Sequence, residues 1–342
     1  MTPTSGITVA LDGLGVESGS ETLAAGVRLA TADGIRLRVF GPAAELGLGD
    51  VDGCEVFDTQ DVITNHDDPV PAVRSHPDAS VVRAVADVAA GNSDAIVSLG
   101  STGATMAAAT FGLKRSRGVK RPALAAILPI PGKSVLFLDV GANVDVRSQH
   151  LIQFAWLGAA FAQAVMGKEN PSVGLLSVGE EAGKGRDEVV EANTALSAAD
   201  GLNFIGNVEG RDVPAGTADV VVTDGFTGNV VLKTMEGTAK TVGGAISAAA
   251  RSNPLSAIGG LMMKTALGGL RRELHPDSTG GAILLGLRRV AVVGHGSSGP
   301  EGIANAIRVA ARGAAGDTPG RTERMLHEAG ANRGAIEPVN PS

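Results

Sequence analysis

Short apolar runs recur along this chain, and one after another they end in the same punctuation: glycine next to a carboxylate, an amide, a hydroxyl or a lysine. The clearest is Val135 to Asp145. Val135 to Leu138 and Val140 read as a buried strand carrying Asp139, followed by Gly141-Ala142-Asn143 and then a helix-compatible run, Ser148 to Val165. Ile7 to Leu11 ends in Asp12-Gly13-Leu14-Gly15, and Ala95 to Leu99 ends in Gly100-Ser101-Thr102-Gly103. Val173 to Val178 runs into Gly179-Glu180-Glu181-Ala182-Gly183-Lys184-Gly185, Val220 to Val222 into Asp224-Gly225-Phe226-Thr227-Gly228-Asn229, and Val290 to Val293 into Gly294-His295-Gly296-Ser297-Ser298. Strands alternating with helices predict an α/β fold, a three-layer α/β/α sandwich around a largely parallel sheet. In such sheets ligands sit where strands turn into helices. Small-residue turns there bare N–H groups that suit an anion.

Composition narrows the function. Hydrophobic residues make up 44% of 342, enough for a large core, whereas aromatics are 3% with no Tyr, which argues against a stacking platform for single strands. The net charge of −7 argues against a broad groove for duplex DNA, so no nucleic-acid partner is expected. A single cysteine, Cys54, excludes an internal disulfide and fits a reducing compartment. No Cys/His cluster has metal-ligand spacing, and no cofactor is expected. Met1 to Gly6 lacks the features of a signal peptide, and no apolar run reaches the ~20 residues that span a bilayer. The expectation is a soluble, cytoplasmic protein.

The fixed cations point to phosphate. Lys184 lies in a glycine-flanked loop, Lys233 follows Asn229 by one helical turn, and Arg211 follows Gly210. Each suits phosphate or a solvated ion pair with Glu180, Glu181 or Glu209. His295, between two glycines, suits either acid/base chemistry or a structural hydrogen bond. Cys54 reads as a buried structural thiol. A basic connector, Lys114 to Arg121, either docks an acidic protein or is merely solvated. In coarse outline, Asp61 to Pro77 reads as a loop, and residues 1–315 as one domain followed by a polar tail, 316–342, with a short helix around Glu323 to Glu328.

Longer stretches carry a resemblance. Leu138 to Asp145, His150-Leu151, Gln153-Phe154-Ala155, Val173 to Leu176 with Gly179-Glu180-Glu181 and Lys184-Gly185, Gly206 to Asp212, Asp219 to Phe226, Gly228 to Lys233, and His295 to Ser298 follow in order. Together these resemble the phosphate acyltransferase (PlsX) family of bacterial phospholipid synthesis, over about residues 7 to 310. Three loops differ from its usual wording: Asp12 to Glu17, Ser98 to Gly103, and Pro276 to Gly281.

The resemblance implies a fold like isocitrate/isopropylmalate dehydrogenases, a homodimer, and peripheral attachment to a membrane surface. It implies transfer of a fatty acyl group from acyl-[acyl carrier protein] to inorganic phosphate. A phosphate acetyltransferase-like enzyme using acyl-CoA, and a non-catalytic paralogue, are the alternatives. On this reading Lys184, His295 and Asn229 are the catalytic candidates. Gly100, Ser101, Thr102, Gly103, Asp139, Gly141, Asn143, Glu180, Lys233 and Ser297 would bind substrate. Lys184 and Lys233 would neutralise phosphate, N–H groups after Gly100 and Gly141 would cradle it, and Asn143 or Asn229 would donate to an oxyanion. His295 would protonate the leaving thiolate or orient phosphate. Residues 254–274 read as two short amphipathic helices that suit a core-facing pair, a dimer contact or a membrane surface; the resemblance favours a protruding hairpin with Leu255, Ile258, Met262, Met263, Leu267 and Leu270 on membrane-facing sides.

Overall fold

Among the described residues, eleven short strands join into a single sheet in the computed structural model, in the order β3-β2-β1-β4-β11-β10-β5-β6-β9-β7-β8. The structure describes residues 4–253, 256, 259, 262, 263 and 276–331. The strands are β1 (Thr8–Asp12), β2 (Arg36–Gly41), β3 (Cys54–Asp58), β4 (Ala95–Ser98), β5 (Ala123–Ile130), β6 (Lys133–Leu138), β7 (Val173–Leu176), β8 (Phe204–Val208), β9 (Val220–Val222), β10 (Ala282–Leu285) and β11 (Val290–Val293).

Period-two alternation divides each strand between two apolar layers. Val9, Leu11, Val97, Leu136, Leu138 and Val222 face one, and Ala10, Ile96, Phe137, Val221 and Ala291 the other. The first layer is closed by α1 (Ser20–Ala32), α6 (Ser148–Val165), α7 (Asp187–Ser197), α10 (Pro300–Ala315) and α11 (Thr318–Glu328). The second is closed chiefly by α4 (Ser80–Ala89) and α5 (Thr102–Gly112), with α3 (Pro69–Ser75) against α5; the four-residue α2 (Ala43–Leu46) and α8 (Asp212–Ala215) follow β2 and β8. The α6 sequence is apolar on all sides, and the helix is accordingly buried almost all round, Phe154, Leu157 and Phe161 completely.

Two expectations change here. Part of Asp61 to Pro77 is helical: Pro69 occupies the first turn of α3, where its missing N–H has no partner to lose. The short helix expected around Glu323 to Glu328 is present but longer: α11 begins at Thr318, and its Leu326 is fully buried against the α6 layer.

Strand direction positions everything that follows. Neighbours are parallel except at β11–β10, β10–β5 and β5–β6. Those three reversals leave β1, β2, β3, β4 and β11 running one way and β6, β7, β8 and β9 the other. The carboxyl ends of the first group form an upper rim, and those of the second a lower rim. The long helix α9 (Gly225–Ala250) starts at the lower rim, and residues 237–249 along it are exposed. A 3₁₀ turn, Pro276–Ser278, leads into β10 at the upper rim.

Candidate functional site

At the lower rim the chain leaves β6 through Asp139, which is fully buried. Its carboxylate accepts the N–H groups of Leu124 (3.1 Å), Gly141 (3.1 Å), Ala142 (2.9 Å) and Asn143 (2.7 Å), and the Asn143 side-chain amide (2.7 Å). Burial pushes its pKa above the ordinary carboxylate value, and the N–H donors, beginning with Ala142, pull against that. Every partner is a donor, so the anion is the form the loop fits. The N–H groups after Gly141, one of the two sets expected to cradle phosphate, therefore already hold a carboxylate.

Asn143 is likewise committed. Its side-chain amide donates to Pro122 O (2.8 Å) and to Asp139, and its backbone carbonyl accepts Gly225 N–H (2.7 Å). This ties α9 to the loop so closely that a Cβ on Gly228 would lie 1.8 Å from Asp139 O. Gly141, Asn143 and Asp139 thus build the rim, and in this structure their polar groups are engaged with one another and with neighbouring backbone.

The loop after β7 is open instead. Ser177 Oγ donates to Lys184 O (2.8 Å), and Asn207 Nδ2 donates to Glu181 O (2.8 Å), which fixes the loop backbone. The Lys184 side chain is exposed and makes no ion pair among the described residues. Arg186 binds the loop to the start of α9 through Asp224 (3.6 Å), whose carboxylate caps that helix by accepting Thr227 N–H (2.8 Å). Asn229, one turn in, is exposed. Lys233 pairs with Glu236 (2.8 Å), and Glu180 with Arg211 (3.0 Å), so both expected ligands already have ionic partners. Glu180 and Glu209 hold the Arg211 pKa above its ordinary value.

The other candidates meet at the upper rim. Asp12 is buried and accepts Ser80 Oγ (2.6 Å), Ser98 Oγ (2.7 Å) and Leu14 N–H (3.2 Å), and burial raises its pKa. This network was not legible as a site, because Ser80 lies 68 residues from Asp12. Gly15, at φ +80°, sits so near Gly100 that a Cβ would be 2.6 Å from its Cα. Ser101 Oγ accepts Ala104 N–H (3.4 Å) and so caps α5. Thr102 is exposed and Gly103 abuts Pro69. His295 and Ser297 are exposed on a loop held by Glu17 N–H to Gly296 O (2.8 Å) and Ser18 Oγ to Ser298 O (2.9 Å).

Lys184 and Asn229 therefore share one rim, and His295, Ser297 and Gly100 to Gly103 share the other. β9 and β11 are four strand spacings apart, about 19 Å, and point in opposite directions. Within one chain the expected single pocket of Asn143, Lys184, Asn229 and His295 does not form. Of the membrane-facing residues, Met262 and Met263 are exposed (81% and 55%), and Leu255, Ile258, Leu267 and Leu270 lie outside the described residues. Among the described residues no helix is long and apolar enough to cross a membrane, and no three His, Cys, Asp or Glu side chains gather as a metal ion requires.

Comparison with known proteins supplies the relationship. A family described as "Fatty acid synthesis protein" matches residues 7–320. The phosphate acyltransferase of Elusimicrobium minutum (strain Pei191) is 48% identical over 269 residues, 79% of each chain. Those of Lactococcus lactis subsp. cremoris (strain SK11) and Citrifermentans bemidjiense are each 42% identical, over 88% and 94% of this chain and 92% and 93% of theirs. Among solved structures, a phosphotransacetylase from Streptococcus pyogenes superposes with a TM-score of 0.59 at 18% identity, covering 91% of this chain and 95% of its own. A branched-chain phosphotransacylase from Enterococcus faecalis V583 gives 0.57 at 16%, covering 90% and 99%. At that identity these structures establish the shared α/β architecture. The order of the shared motifs, the match across residues 7–320 and the curated relatives together place this chain in the phosphate acyltransferase (PlsX) family.

Proposed function

We propose that this chain transfers a fatty acyl group from acyl-[acyl carrier protein] to inorganic phosphate, releasing acyl phosphate and free carrier for phospholipid synthesis. A phosphate oxygen attacks the thioester carbonyl, the C–O bond forms, the C–S bond breaks, and the carrier leaves as thiolate. Phosphate is itself the nucleophile, so the protein's task is to hold it, offset its charge and stabilise the oxyanion. Cys54 fits no covalent role: burial, reinforced by Glu55, pushes its thiol up to about 11, so it stays protonated near neutrality.

The observation that carries the reading is Lys184: an exposed cation without a carboxylate partner among the described residues, on a loop braced by Ser177 and Asn207 and joined to the start of α9 by Arg186. We assign phosphate to Lys184 and the oxyanion to Asn229. His295, Ser297 and the first turn of α5 line the other rim and are left out of this step. The exposed length of α9, with Val242 and Ile246 half exposed, supports a homodimer. The exposed Met262 and Met263 support peripheral contact with a membrane. The relation to isocitrate/isopropylmalate dehydrogenases remains part of the same proposal.

Incubation with acyl-carrier and radiolabelled orthophosphate should yield a hydroxylamine-sensitive product. Lys184→Ala should lower kcat/KM at least about tenfold, roughly 1.4 kcal/mol of transition-state stabilisation, with no change in unfolding midpoint. An unchanged rate removes Lys184 from the site, and equal efficiency with acyl-CoA would replace the carrier as donor.

A further inference from the structure

The basic connector is not an isolated run of charge. It leaves α5 at the lower rim, where Ser116 N–H donates to Gly286 O (2.9 Å) and Ser116 Oγ to Leu287 O (2.7 Å). This fastens it to the turn between β10 and β11, and Arg288 returns N–H to Lys114 O (3.1 Å) and Nε–H to Arg115 O (3.2 Å). The turn adds two exposed cations, Arg288 and Arg289, to the exposed Lys114, Arg115, Arg117 and Arg121. Arg121 Nη1 donates to Asp145 O (3.1 Å), which brings it toward Arg147, exposed at the start of α6.

None of these seven side chains has an ionic partner among the described residues. Glu323, the carboxylate that reaches the connector, accepts the Arg117 backbone N–H (2.9 Å) and not its guanidinium. Several cations elsewhere are matched: Arg38 with Glu55 and Asp87, Arg308 with Asp33 and Glu301, Lys168 with Asp219. On a chain of net charge −7, a rigid unmatched basic surface is a directed feature. Its field registers on His150, which burial together with Arg121, Lys120 and Arg147 holds down to about 4.

We propose that this surface, formed by the 113–122 connector, the 286–289 turn and the start of α6, docks an acidic protein. The inference rests on the function proposed above, in which that protein is the carrier delivering the acyl thioester. Position supports it: Pro122 O accepts the Asn143 amide, so the patch adjoins the rim that bears Lys184.

The test is the triple variant Lys114→Glu, Arg117→Glu, Arg289→Glu, whose side chains make no hydrogen bond among the described residues. Its unfolding midpoint should match the unaltered protein. KM for acyl-carrier should rise at least about tenfold, and the carrier KM of the unaltered protein should climb toward it at about 0.5 M salt. Rates on an acyl-pantetheine thioester, which lacks the protein, should stay within about twofold. An unchanged carrier KM overturns the proposal, as does equal loss with both donors. Lost binding to phosphatidylglycerol vesicles with carrier KM unaltered would assign the surface to lipid and overturn it too. If the unaltered protein makes no acyl phosphate from either donor, the proposed function fails while docking is still decided by fluorescence anisotropy of labelled carrier: binding lost in the triple variant supports it, and equal binding overturns it.

Discussion

His150 shows how a single side chain links local structure to pH. It sits in the first turn of α6, nearly buried, and its Nδ1 accepts Arg147 N–H at 3.0 Å. That bond requires an unprotonated Nδ1, and burial and three nearby cations disfavour the charged ring. The folded-state pKa of about 4 lies below the ordinary value of 6.5, so the unfolded chain binds the proton first as pH falls. Stability should be complete above about pH 6.5 and decline toward pH 4, with about 2–3 kcal/mol from this residue lost between pH 7.5 and 4.5. His150→Asn keeps an acceptor and removes the titration. Its unfolding free energy, measured by denaturant titration, should fall less over that interval than that of the unaltered protein; parallel curves would discount the residue. Residue identities made such positions visible as candidates but not their partners. Asp139 and Asn143 stand out in Leu138 to Asp145, yet only the folded loop shows the carboxylate taking the N–H groups that an anion would need. Lys184 was legible because its glycine flanks forecast an open loop.

Elements were legible where pattern and punctuation agreed. The helix Ser148 to Val165 and the strands Val220 to Val222 and Val290 to Val293 stand where their sequence places them. β10 is harder to read, because its four residues become a strand through pairing with β5 and β11 on either side. The C-terminal half of helix α11 was legible around Glu323 to Glu328, but its core contact was masked by polarity: its sequence is mostly charged or polar, and one narrow stripe with Thr322 and Leu326 is buried. Past that helix, Ala331 O accepts the amide of Gln153 from inside α6 (2.8 Å), and the same amide donates to Gly118 O (2.9 Å). Ending the chain at Gly316 would remove the buried Leu326, uncover the α6 face it packs on and leave a buried amide donor short of an acceptor. The expected cost is about 3–5 kcal/mol, read as a lower urea midpoint. A truncated protein with the same midpoint would show that α11 is a passenger on the core.

Strand direction belongs to the whole molecule. Each strand end carries similar residues, so read one after another they suggest a single crevice. The three antiparallel pairings around β10, β5 and β6 divide them between two rims instead. No residue within a run announces that reversal; it follows from which strands become neighbours. The split bears on catalysis. If phosphate is held by Lys184 at the lower rim, His295 on the upper rim contributes at most through the general stability of its loop. Groups separated by more than about 7–10 Å and sharing no partner usually have additive energetic effects. Kinetic effects of Lys184→Ala and His295→Ala on kcat/KM should therefore add, the double variant matching the sum within about 0.5 kcal/mol, while the phosphate KM responds to Lys184→Ala alone. Residues acting as one catalytic unit behave otherwise, because removing either already disables the step the other serves. A double variant no slower than the worse single one would mean that the two rims meet in one site, and the lower-rim assignment would fall.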